Sequence, residues 1–273
     1  RMQPRAPMQP SITISPLLPT DVDAAYLLAD EEPEVHGMLL WHLHTPDAHV
    51  LKAELDGELL GFGLAHAHGS TGWVREVYVH PAHYDTGADK ALVLALVHWL
   101  EARGTTAQGV VAPETDELFY EELGFVPEVE LLGYSGGKFY QAQRDEVVIL
   151  EPQHLLGVLH LDRKACGEDR STWLREHQYL GSVWLEQGVV RGFLLTLAGR
   201  GLIVADSPSV GLELQRWLWP VQAELVLPAG NAAAHEHLLE RGYTTRHAGL
   251  RMWRGPAPVL RPELVFAWPQ GWG

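Results

Sequence analysis

GELLGFGLAHAHG, residues Gly57–Gly69, is echoed by GVVRGFLLTLAG, residues Gly188–Gly199. A second pair follows in the same order: LFYEELGFVPEVELLGYSG from Leu118 and HLLERGYTTRHAGLRMWRG from His237. Internal similarity of this length marks a duplicated unit before any local propensity is weighed. Gly61 and Gly192 lie 131 positions apart but Gly124 and Gly242 only 118, so the second copy is 13 residues shorter between these landmarks. The loss falls opposite VYVHPAHYDTGADKALVLAL of the first copy, a strand-loop-helix stretch beginning at Val77. One copy is therefore expected to keep a site that the other has trimmed.

At 273 residues the chain has room for two domains, each with its own core. The repeat divides it into a disordered tail over 1–10, a first domain over 11–144 and a second over 145–273, joined through the polar stretch 136–146. Lys and Arg number 20 against 35 Asp and Glu, a net charge of −15. That charge repels phosphate backbones, which argues against nucleic acid, and it attracts a cationic amine. One cysteine, Cys166, gives neither a disulfide framework nor a metal motif and suits a reducing compartment, so a cytoplasmic location is expected. No apolar run reaches the roughly 18 residues of a membrane span, and RMQPRAPMQP lacks the apolar segment of a signal peptide. A membrane partner is not expected, and a monomer or homodimer fits this composition.

Along the first copy, SITISPLL alternates as a strand and PTDVDAAYLLAD reads as a helix capped at Thr20 or Asp21. HVLKAEL and ELLGFGLAHAH form a hairpin across Asp56-Gly57. GWVREVYVHP is a strand closed by Pro81, and after Gly87 comes a long helix, ADKALVLALVHWLEARG. A buried strand (AQGVVAP), a helix (ETDELFYEELG) and a last strand (VPEVELLGYS) complete the unit. The second copy opens with VVIL near Val147, adds the helical LLGVLHLDRK and DRSTWLREH, and repeats hairpin, strand, helix, strand, helix, strand.

This order, with VREVYVHPAHYDTGADKAL, LFYEELGF and GNAAAHEHLLERGY, resembles the GNAT family of acyl-CoA-dependent N-acetyltransferases, and within it the tandem bacterial members. LDRKACGEDRSTWL is similar to a segment of tandem members as well. The resemblance implies an α/β (α+β) chain of two tandem GNAT folds, with mixed, mostly antiparallel sheets flanked by helices. It also implies acetyl-CoA as co-substrate and an amine of a small molecule or peptide as acceptor.

Acyl-CoA needs a strand edge for its pantetheine arm, and a helix N-terminus supplies converging N–H groups for its pyrophosphate. Val77 and Val79 are the expected edge, and Tyr84, Thr86, Gly87, Ala88 and Lys90 the expected turn. The family's loop carries Arg or Gln, then Gly, then Gly or Ala; here those positions hold Tyr84, Gly87 and Asp89. A carboxylate at Asp89 competes with a pyrophosphate for the same donors. Acetyl transfer to an amine needs a base for the ammonium proton and an acid for the leaving thiolate. Glu76 on the strand is the expected base. Tyr120, four residues before Gly124, stands where the family's thiolate-facing tyrosine falls, and Leu238 replaces it in the second copy. A chain that kept the fold but lost its loop would instead be a non-catalytic ligand-binding or scaffolding protein.

His42 with His44 and His66 with His68 have strand spacing, which puts each pair on one face. Without acidic or Cys partners at ligand spacing, no metal is expected there. Trp217, Trp219, Trp268 and Trp272 read as core or inter-copy packing. Gly61-x-Gly63 lacks the third glycine of a dinucleotide fingerprint, since position 66 is histidine.

Overall fold

A computed structural model describes residues 11–138, 142, 144–197, 200–218 and 223–269. The tail 1–10, Trp219, Trp272 and part of the expected joint lie outside them. Contacts divide the chain into two units, Arg1–Ala67 with Val74–Arg103, and His68–Trp73 with Gly104–Gly273.

The first unit holds β1 (Thr13–Pro16), α1 (Val22–Leu28), α2 (Pro33–His44), β2 (Ala48–Leu55), β3 (Glu58–His68), most of β4 (Thr71–Val79) and α3 (Ala88–Ala102). Its strands run in the order β1-β2-β3-β4. The β2-β3 hairpin turns at Asp56 (φ 53) and Gly57 (φ 86), the paired left-handed residues that a tight hairpin turn requires. Leu17, Val22, Ala25, Leu39, Val50, Phe62 and Leu64 form the core between α1, α2 and the strands. On α3, Leu92, Val93, Leu96, Val97 and Leu100 recur at helical spacing and are buried.

His42 and His44 lie on α2, not on a strand, so their rings point roughly 200° apart rather than to one face. Pro33 in the first helical turn and the helix-favouring Met38-Leu39-Leu40 outweigh the alternation around the histidines.

The second unit contains β5 (Ala107–Ala112), α4 (Glu117–Glu122), β6 (Val126–Ser135), β7 (Val147–Ile149), α5 (Leu155–Cys166), α6 (Ser171–Glu176), β8 (Ser182–Glu186), β9 (Val189–Leu195), β10 (Leu202–Ala205), α7 (Pro208–Leu218), β11 (Glu224–Pro228), α8 (Ala232–Glu240), β12 (Thr244–Arg254) and β13 (Val265–Ala267). One run of strands is β5-β12-β6-β11 and the other is β13-β10-β9-β8-β7. The last strands of the two copies are exchanged. β12, from the second copy, pairs antiparallel with β5 of the first, and β6, from the first copy, pairs antiparallel with β11 of the second. β6 and β12 also pair with each other from Thr244↔Ser135 to Trp253↔Val126. Contacts therefore do not follow the sequence copies.

LDRKACGEDRSTWL supplies a buried ionic core within this unit. Arg170 grips Asp162 through Nε (3.1 Å) and a second guanidinium nitrogen (2.5 Å), both side chains being 1% exposed. Thr71 Oγ1 and Trp73 Nε1 donate to Glu168 Oε2 at 3.0 and 2.8 Å. Arg251 of β12 pairs with Glu128 of β6 at 3.2 Å. Its guanidinium lies 4.5 Å from the Trp268 ring centroid and 5.1 Å from that of Trp73. Buried charges persist only where partners replace water, so these contacts fix where the exchanged strands sit. Trp73, Trp173, Trp253 and Trp268 are fully buried, whereas Trp217 is 39% exposed.

Candidate active site

Pro81 ends β4 because it has no N–H to donate, and a 3-10 turn, Pro81–Thr86, begins there. Ala82 N–H donates to His80 Nδ1 (3.2 Å) to cap it. Gly87 follows at φ 77, and a Cβ built there meets nothing within 4 Å. Backbone conformation, not crowding, calls for glycine, and the space over the turn is open. α3 starts at Ala88.

Two donors of this first turn have side-chain acceptors. Ala88 N–H donates to Thr86 Oγ1 (3.3 Å), and Lys90 N–H to Asp89 Oδ1 (2.7 Å). The competition foreseen at Asp89 is thus realised by its own carboxylate. Tyr84, Thr86, Gly87 and Lys90 are exposed, and Ala88 is buried. Along the strand, Val79 is buried and Val77 half-buried. β4 pairs in parallel with β5 only over Thr71–Trp73, so among the described residues the stretch from Val74 to Val79 has no β5 partner.

Glu76 lies on that stretch. Solvent reaches its side chain, yet enough protein surrounds it that lost hydration raises its carboxyl, with the neighbouring Arg75 charge opposing the rise. Burial bears on Arg75 as well, disfavouring its charge, which Glu76 supports. His42 is driven down to about 3, first by burial and then by Arg75, and its Nδ1 lies 2.8 Å from Met38 O. It is a neutral, structural histidine. Trp41 meets the His42 ring edge-on at 4.8 Å and the His66 ring at 5.2 Å. This cluster of Trp41, His42, His66 and Arg75 escaped the sequence reading, because a helix and two strands bring it together.

Tyr120 belongs to the second unit. It is 6% exposed on α4, edge-on to Phe125 at 5.6 Å and Phe119 at 5.1 Å. Gly124, at φ 88, turns the chain so that Phe125 N–H returns to Tyr120 O at 3.1 Å. The structure thus groups Glu76 with the expected turn in one unit and places Tyr120 in the other. Among the described residues no group of three or more His, Cys, Asp or Glu could hold a metal ion. None of their helices is long and apolar enough to cross a membrane.

Residues 18–125 match the sequence profile of the acetyltransferase (GNAT) family. The whole chain is built as tandem GNAT folds. A protein from Pyrococcus horikoshii assigned to the acetyltransferases superposes with TM-score 0.80 at 20% identity, covering 98% of this chain and 97% of that one. A GCN5-related N-acetyltransferase from Sphaerobacter thermophilus gives TM-score 0.59 at 17% identity, covering 92% and 98%. A tandem GNAT protein from the clavulanic acid biosynthesis pathway gives 0.57 at 13%, covering 90% and 100%. At such identities the likeness is one of fold. No curated protein matches the sequence.

Proposed function

We propose that this chain is an acetyl-CoA-dependent N-acetyltransferase that acylates an amine of a small molecule or peptide. The reaction belongs to the first copy, 11–144, and the second copy, 145–273, has a structural role. The observation that carries this reading is Glu76: a reachable carboxyl raised by its surroundings, on the stretch of β4 left without a β5 partner.

The residues present fit the co-substrate at a cost. The open space over left-handed Gly87 and the free edge of β4 suit it, with Val77 and Val79 along the edge and Tyr84, Thr86, Gly87, Ala88 and Lys90 around the turn. Against it stands Asp89. A charge at an exposed helix N-terminus is worth about 1 kcal/mol, so displacing the Asp89 carboxylate lowers affinity about fivefold without abolishing binding. When bound, acetyl-CoA supplies the activated acetyl group. Glu76 takes the proton of the incoming ammonium, a task that a raised pKa favours, and Tyr120 Oη is assigned the proton donor to the leaving sulfur. The net charge of −15 draws a cationic acceptor toward the protein.

The self-capped turn favours a second reading, a GNAT fold retained for ligand binding or scaffolding without catalysis. Calorimetric titration with acetyl-CoA separates the two. The enzyme reading expects micromolar-range binding, about −8 kcal/mol, and tighter binding by Asp89→Gly. Absence of heat at millimolar ligand for both proteins establishes the second reading.

A further inference from the structure

In the second copy the strand counterpart of β4 is β10, and the edge of β10 is already paired. β13 pairs with it antiparallel, Ile203 opposite Ala267 and Val204 opposite Val265. Just beyond β13, Trp268 N–H donates to Val226 O of β11 at 2.7 Å. Gln215 Nε2 of α7 donates to Phe266 O (2.7 Å), and Asn231 Nδ2, at the cap of α8, to Val265 O (2.8 Å). Four elements of the second copy thus hold one short segment by its backbone.

Its side chains are held as firmly. Phe266 is fully buried over Gly211, where a Cβ would come within 2.3 Å of the ring, so α7 carries a glycine to admit it. Trp268 is 1% exposed, with the Arg251 and Arg170 guanidinium groups 4.5 and 5.3 Å from its ring centroid. By the duplication, this strand edge is the one that in the first copy remains without a β5 partner beyond Trp73. The repeat read from sequence contains no equivalent of β13.

We propose that the second copy is a strand-binding module whose ligand is this chain's own Val265–Trp268 segment, seated where the first copy keeps its free edge. An extended peptide suits such a groove because its amides satisfy the exposed edges while alternate side chains fill pockets. The groove is sequence-selective through Gly211 for the aromatic ring of Phe266 and through the two arginines for the indole of Trp268. This role is independent of whether the first copy transfers acetyl groups.

The test inserts a protease site between Pro256 and Ala257, in the exposed connection after β12. The chain is cut and then mixed with a fluorescent peptide of residues 262–269. The nicked protein should take up the peptide, the intact protein should not, and a scrambled peptide should fail with both. Gly211→Ala in the nicked protein should weaken uptake at least tenfold. Uptake that ignores sequence, or that the intact chain matches, overturns the proposal. If nicking unfolds the protein, hydrogen exchange on the intact chain decides: Ala267 and Trp268 amides as protected as those of β10 support it, and loop-like exchange refutes it.

Discussion

The two copies differ most where a strand hands over to a helix. In the first, β4 and α3 are separated by residues 80–87, an open turn that ends on a left-handed glycine. In the second, β10 and α7 are separated only by Asp206 and Ser207. That short link is pinned: Asp206 N–H donates to Arg191 O (2.9 Å), and the Arg191 Nε returns to the Asp206 carboxylate (2.8 Å). A long turn presents helix N–H groups to solvent, where a ligand or a nearby side chain takes them. A short turn leaves less room for one, and the strand edge beside it is satisfied by the chain itself, since an unpaired edge with no ligand invites unwanted pairing.

The contrast predicts that the second junction is structural and the first chemical. Phe266→Ala should cost about 3–5 kcal/mol by leaving a cavity over Gly211, whereas Tyr84→Ala in the exposed first turn should change stability by no more than about 0.5 kcal/mol. Denaturant melts of both variants check this, and equal losses would break the comparison.

Glu76→Gln should lower turnover by about 10³-fold, within the range for a positioned base. Stability should move the other way. Because the folded state raises the Glu76 pKa, its stabilising contribution is present below the ordinary carboxylate range and is lost as pH rises through the raised value. Glutamine removes that loss, so the variant should melt no lower than wild type at pH 7. The acid limb of the wild-type rate profile should have its midpoint above 4.5, the ordinary glutamate value. A variant that melts markedly lower while keeping turnover would make Glu76 structural.

Tyr120→Phe keeps the ring against Phe119 and Phe125, so the melting temperature should hold while turnover falls roughly 10²-fold. A stability loss with turnover per folded molecule intact would return Tyr120 to the core. The smallest effect belongs to Asp89→Gly, which frees the Lys90 N–H and should tighten acetyl-CoA about fivefold by calorimetry. No change in affinity would show that the carboxylate does not contest the site.

Much of this was legible in the chain. The echo of Gly57–Gly69 in Gly188–Gly199 announced the duplication, alternation and punctuation gave β2, β3, β4, α3 and β6, and the missing 13 residues marked the copy without a long turn. Gly87 declared its turn because few other residues accept that backbone conformation. The rest required tertiary structure. A strand's alternation is the same whichever neighbour it joins, so sequence could not tell that β12 enters between β5 and β6, nor that β13 closes on β10. Likewise, His42 is read as a neutral helix residue, and Glu76 as a raised carboxyl, only once burial and the Arg75 charge are known. Local pattern specifies elements through short-range sterics and periodicity; partners and protonation follow from desolvation and contacts between residues far apart in the chain.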